Sequence, residues 1–220
     1  MTEVIPLVGG AVASFGFGSV AGSFQHFLYR EAEYRNAPAT GRALTLIRWG
    51  LGIAAAIVVA LALRPGHYDL GPGVLTGLFG VVLLVIASTD FERRRIPNRI
   101  TYPATAAAIA FCWAWPDRDP ESIMQGAAFA AGLGAVLFGA GIFVGGAAGG
   151  LGLGDVKLMI LLGLLVGWPG AMYALFIGMI LAGIPGVVLL AKGRRKAHFS
   201  YGPYLVGGGL AVLLFPAAFG

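Results

Sequence analysis

The sequence holds a single cysteine, Cys112. That excludes a disulfide within the chain and a cysteine-built metal site. In its apolar surroundings Cys112 reads as a small buried hydrophobe. Charge is also scarce. Only 11% of residues are Asp, Glu, Lys or Arg, against about 25% in an ordinary soluble domain. The three histidines, His26, His67 and His198, are scattered over different loops and lack metal-ligand spacing. No metal and no cofactor are therefore expected. No Lys or Arg precedes the first apolar stretch, which carries Glu3 instead, so a cleaved signal peptide is not expected there. No low-complexity linker and no polar block large enough for a separate soluble domain interrupt residues 1–220, which read as one integral membrane domain.

What the chain does have is apolar residues, 58% of the total, 36 glycines and a mean hydropathy of +0.83. Glycine inside apolar runs is more frequent in membrane helices than in soluble ones. A spanning helix needs about 20 mostly apolar residues, with about 17 tolerated. Eight stretches qualify or nearly qualify, at approximately 4–28, 44–63, 73–90, 100–116, 126–145, 155–168, 171–191 and 203–219. The expected fold is all-α, a polytopic transmembrane helical bundle of about eight spans. The sixth stretch is short, and Pro169–Gly170 marks a tight hairpin between it and the seventh.

The net charge of +5 reports orientation rather than nucleic-acid binding. With the loops taken alternately from an outside N-terminus, the odd loops carry Arg30, Arg35, Arg42, Arg48, Arg93, Arg94, Arg95, Arg99, Lys157, Lys192, Arg194, Arg195 and Lys196, thirteen of the fifteen basic residues. The even loops carry Arg64 and Arg118, with Asp69, Asp117, Asp119 and Glu121 nearby. Cationic loops resist translocation, so the odd loops are expected in the cytoplasm and both termini outside.

Few acids lie near the membrane core. Asp155 follows a glycine run in GGLGLGDVKL and opens the sixth stretch; Asp90 ends the third, in IASTDFERRRIPNRIT. Two crossings separate them, so topology returns both to the cytoplasmic face, each about one helical turn inside the interface. Intramembrane acids lean towards function. Two carboxyl groups in contact at one depth are expected to share a proton, because two like charges in a low dielectric cannot both be ionised comfortably. The ionised member can then take a proton from water while the protonated member donates to a carbonyl oxygen. Amide hydrolysis by such a dyad needs no metal.

The neighbouring residues admit more than one role. Gly152 and Gly154 allow unusual dihedrals and close approach of a substrate backbone, and the positive end of the helix starting near Asp155 faces the site. Asp155 is also well placed to cap that helix, and Asp90 to pair with the adjacent arginines. Pro97 sets φ near the start of the fourth stretch. Asn98 reads as that helix's cap, or as a hydrogen-bond partner of an active-site carboxylate. Lys157 reads as a snorkelling side chain, or as an electrostatic neighbour of Asp155. Arg93, Arg94 and Arg95 set topology or touch substrate.

TDFERRRIPNRIT followed by GLGLGDVKL resembles the type IV prepilin peptidases, a family of GxGD intramembrane aspartyl proteases. The pattern is an Asp six residues before a Leu/Ile-Pro-Asp/Asn element, then GxGD and a following Lys. Asp90, Ile96-Pro97-Asn98, Gly152-Leu153-Gly154-Asp155 and Lys157 match it. GSFQHFLYR at 22–30 and YGPYLVGGG at 201–209 are similar to further family elements, although Gln25-His26 stands where Leu-Asn is usual. The resemblance implies a leader peptidase of the bacterial inner membrane, serving type IV pili or secretion. It would cut the short basic leader of a prepilin or pseudopilin at the cytoplasmic face, with Asp90 and Asp155 as the catalytic pair. The substrate helix would enter laterally from lipid. The arginines would contact anionic membrane lipid or an acid of the substrate, since a basic face does not attract a basic leader. Many members carry a zinc-linked cysteine tetrad in the first cytoplasmic loop and methylate the new N-terminus. Here that loop, EAEYRNAPATGR, has no cysteine, so no zinc and no methyl transfer are expected. The sequence fixes no oligomeric state. The alternatives are a proton- or cation-coupled transporter, whose acids should lie near mid-membrane, another GxGD protease such as a preflagellin peptidase, and an inactive scaffold.

Overall fold

The computed structural model describes residues 8–16, 42–115, 118–145, 151–191 and 200–219. Among these there are eight α-helices and no strand. They are α1 (8–16), α2 (Arg42–Ala62), α3 (Leu70–Arg93), α4 (Asn98–Ala110), α5 (Pro120–Gly145), α6 (Leu153–Val166), α7 (Gly170–Ala191) and α8 (Gly202–Leu214). The chain divides into two compact units, Met1–Thr89 and Asp90–Gly220. Most of the expected first span, the first basic loop and the basic residues 192–196 fall outside the described residues.

Four helices are long and apolar enough to cross a membrane, over Thr45–Ala62, Leu70–Arg93, Pro120–Phe143 and Gly170–Val188. The chain is an integral membrane protein, but the count of about eight full spans is not reproduced. The fourth stretch gives a 13-residue α4, Asn98–Ala110, followed by a 3-10 turn at Cys112–Ala114. α6 has 14 residues and α8 has 13. At 1.5 Å per residue, helices of this length reach roughly 20 Å, short of the roughly 30 Å hydrocarbon core.

In the first unit α2 and α3 pack through glycine. A Cβ on Gly77 would stand 3.1 Å from Val59 Cγ2, and one on Gly73 3.1 Å from Leu63 Cδ2. The Gly73–Gly77 spacing is the small-residue stripe that lets membrane helices approach closely. Ala55, Val59 and Val81 form the core beside it.

The second unit is built around α6, which packs against α4, α5, α7 and α8. Leu158, Met159, Leu161 and Leu162 are fully buried, and the helix stays buried to Val166. A helix that is apolar on every side belongs inside a bundle, and this explains its length: a central helix does not have to match the lipid thickness. Gly126 of α5 and Gly163 of α6 meet backbone to backbone; a Cβ on Gly163 would come 2.5 Å from Gly126 O. Gly163→Ala is therefore expected to destabilise the fold by about 1–3 kcal/mol through overpacking. The measurement is a thermal melt in detergent, and an unchanged midpoint would contradict this packing.

The expected hairpin at Pro169–Gly170 is present: α6 ends at Val166 and α7 begins at Gly170. Gly167 turns the chain with φ +66, a left-handed value that favours glycine. Ser122, at the start of α5, holds the hairpin: its Oγ donates to Trp168 O at 2.8 Å, and Trp168 N–H donates to Ser122 O at 2.9 Å. Arg118 donates to the Leu165 carbonyl, satisfying the C-terminal end of α6, and its guanidinium lies 5.4 Å from the Trp115 ring centroid.

Candidate active site

Asp90 lies in the last turn of α3 and is 5% exposed. The helix closes immediately after it: Arg94 N–H donates to Asp90 O at 2.7 Å, and Arg94 takes φ +54. The carboxylate is held from the opposite end of the second unit. Asp90 Oδ2 accepts a hydrogen bond from Gly202 N–H at 2.9 Å and another from Ser200 Oγ–H. Gly202 is the first residue of α8, whose unpaired N-terminal N–H groups and positive dipole end favour a carboxylate there. Glycine is needed at this point: a Cβ on Gly202 would come 2.5 Å from Asp90 Oδ2 and 2.9 Å from its Cγ.

Asp155 is the third residue of α6 and is half-buried. Its Oδ2 accepts from Gly152 N–H at 3.0 Å, and its own N–H donates to Gly152 O at 3.0 Å. Gly152 occupies the N-cap position with φ −78 and ψ 156, ordinary extended backbone. The expectation of unusual dihedrals at this glycine does not hold. What the second glycine provides is proximity, since a Cβ on Gly154 would stand 3.2 Å from Ile96 Cβ. The start of α6 thus seats directly on the Ile96-Pro97-Asn98 element. The Asp90 and Asp155 carboxyl groups come close enough for their charges to act on each other. Each carboxyl group meets the N-terminal end of a helix, that of Asp90 the start of α8 and that of Asp155 the start of its own α6.

The other expected site residues lie beside the pair. Pro97 is the residue that enters α4, with φ −73, and its carbonyl accepts from Thr101 N–H at 3.1 Å. Asn98 is therefore the first helical residue and not the cap. Its Oδ1 accepts from Lys157 Nζ at 3.0 Å, and Lys157 also lies over the Tyr102 ring at 4.8 Å from its centroid. Lys157 thus ties α6 to α4 rather than simply reaching for the interface. Among the described residues neither Asn98 nor Lys157 bonds to Asp90 or Asp155. Arg93 Nε pairs with Glu92 Oε1 at 3.4 Å, so the bland pairing of Asp90 with its neighbouring arginines is replaced by Ser200 and Gly202. Those two were not singled out from the sequence. The available signal was the glycine before Pro203 in SYGPY, a pairing suited to a helix start but silent about what the helix start would face.

The second unit also holds an apolar cavity of about 470 Å³. Leu151 and Tyr201, each one residue before a glycine that binds a carboxylate, line it together with a stripe of α7 formed by Met179, Ala182, Gly183 and Gly186.

The family model described as the type IV leader peptidase family matches residues 77–187, just over half of the chain. The chain is similar to a prepilin leader peptidase/N-methyltransferase of Aeromonas salmonicida strain A449, with 27% identity over 161 residues, 72% of this chain and 54% of that protein. It is also similar to the protein of that name from Burkholderia pseudomallei strain 1026b, with 33% identity over 72 residues, 32% of this chain and 23% of that protein. The chain thus spans about half, or less, of the length of these curated relatives. No solved structure matches it.

Proposed function

The chain belongs to the type IV leader peptidase family, and we propose that it cleaves the short basic leader of a prepilin or pseudopilin at the cytoplasmic face of the inner membrane. What carries this reading is that two acids far apart in sequence each meet the N-terminal end of a helix, the Asp90 carboxylate bonded to the first N–H of α8 and Asp155 in the first turn of α6, which seats on the Ile96-Pro97-Asn98 element that follows Asp90. In the proposed reaction the pair holds one proton and a water between its carboxyl groups. The ionised acid takes a proton from the water as it attacks the scissile carbonyl, and the protonated acid donates to the carbonyl oxygen. The proton belongs to the pair, which titrates as one unit. Both carboxylates accept their hydrogen bonds on Oδ2, so Oδ1 of each is the oxygen assigned to the water.

The location of the acids near helix ends, together with the family, favours a peptidase over a carrier with a mid-membrane site. The proposed orientation, odd loops in the cytoplasm and termini outside, rests on the distribution of basic residues. Proteolysis alone is proposed: residues 31–42 contain no cysteine to form the zinc site that the family resemblance links with methyl transfer. The test is cleavage of a panel of prepilins by the membrane-embedded protein and its Asp90→Asn and Asp155→Asn variants.

The apolar cavity supplies a place for the hydrophobic segment that follows the leader. Gly183 lines the cavity and has nothing within 4 Å of a would-be Cβ, so in Gly183→Leu the side chain starts into open space and takes up cavity volume. This variant is expected to raise KM for prepilin about tenfold, the loss of one good apolar contact, with kcat little changed. An unaltered KM would remove the cavity from the substrate path.

A further inference from the structure

The mechanism above uses the Asp90 and Asp155 carboxyl groups and leaves one polar side chain at the site without a role. Ser200 stands two residues before α8, just outside its capping position. Tyr201 is the N-cap residue, and no side chain caps α8. The Ser200 hydroxyl instead donates across the site to Asp90 Oδ2, the same oxygen that accepts Gly202 N–H. Two donors on one oxygen, from adjacent points of one backbone segment, fix the plane of the carboxyl group. Because Oδ2 lies off the axis of the last bond, the carboxyl group cannot turn about that bond without moving Oδ2 away from both donors, and each donor adds a charge-assisted bond to that resistance. The bond therefore determines where Oδ1 points.

We propose that Ser200 is a positioning residue for the aspartyl pair: its hydroxyl locks Asp90 so that the free carboxyl oxygen faces the water and Asp155. The inference rests on the peptidase reading of the site. Ser200 does not touch the substrate in this account, so its effect belongs to the chemical step and not to substrate affinity.

The test uses the full chain in proteoliposomes with a prepilin that the wild type cleaves, and compares Ser200→Ala, Ser200→Thr and Ser200→Val. Thr and Val are nearly the same shape and differ in the hydroxyl. Ala and Val are expected to lower kcat about ten- to a hundredfold, the scale of one hydrogen bond to a charged group, with KM within about twofold of wild type. Thr is expected to restore most of kcat. Thermal melts of all three in detergent are expected to fall close to wild type. If Thr and Val have equal kcat, or if the loss appears in KM alone, the positioning role is overturned. If the wild type itself cleaves no prepilin, the peptidase reading fails, and the inference falls with it by a visibly different route.

Discussion

Replacing Asp90 or Asp155 by Asn is expected to reduce prepilin cleavage by about three to four orders of magnitude while leaving the fold in place. General acid–base catalysis by a positioned side chain is worth about 10²–10⁴-fold, and each substitution removes one half of a proton exchange that needs both. The folds should survive for a reason visible in the bonds. Both carboxylates act structurally as acceptors: Asp90 from Ser200 and Gly202, Asp155 from Gly152. The carbonyl oxygen of an asparagine can take over those bonds, but its amide cannot take up or release the proton. Because the two acids act as a unit, the double variant is expected to be no slower than the worse single one. Cleavage followed by the mass of the mature pilin measures all three. Turnover near wild type in either single variant would remove that acid from the chemistry.

Gly202→Ala is expected to have the second largest effect, a loss of kcat of at least about a hundredfold, the scale associated with misplacing a reacting group by about 1 Å. The new methyl group would lie 2.5 Å from Asp90 Oδ2, 2.9 Å from Cγ and 3.1 Å from Cβ. Something has to shift, and the choice is between the Asp90 side chain and the first turn of α8. Either movement breaks the Gly202 N–H bond and draws Asp90 away from its partner. The contrast with Gly183 is informative, because that glycine borders the same region and has open space where a Cβ would be. A Gly202→Ala enzyme with normal kcat would show that α8 does not set the position of Asp90.

The sequence made the acids conspicuous because an apolar chain leaves few places for charge. Asp90 and Asp155 stand out against 58% apolar residues, whereas the crossing count that paired them takes the fourth stretch as a full span, and α4 is too short to be one. The family resemblance drawn from their surroundings agrees with the family that the chain belongs to. What the sequence concealed were contacts between distant segments. Nothing in the local pattern of SYGPY says that its serine and glycine will face residue 90, since hydrogen bonds across a bundle leave no periodic trace. Asn98 showed the same limit. Its residue type suits a helix cap, yet Pro97 occupies that position and Asn98 bonds Lys157 instead. α6 is as short as its stretch in the sequence, 14 residues, while α4 has 13 where the sequence led to a fuller span. Apolar composition counts residues that avoid water, and a helix buried among four others avoids water as thoroughly as one facing lipid. The glycines of GLGD were legible as a place of close approach, but the partner in contact is Ile96, a neighbour in the fold.

The central claim is that the side chains of Asp90 and Asp155 meet. Its most direct measurement is a cross-link in the native membrane. With Cys112, the single native cysteine, replaced by Ala, cysteines are placed at positions 90 and 155 and treated with a mild oxidant or a short bifunctional thiol reagent. A rapid intramolecular cross-link, absent in either single-cysteine protein, is the expected result. No cross-link, in protein whose two thiols both still react with a small maleimide, would contradict it.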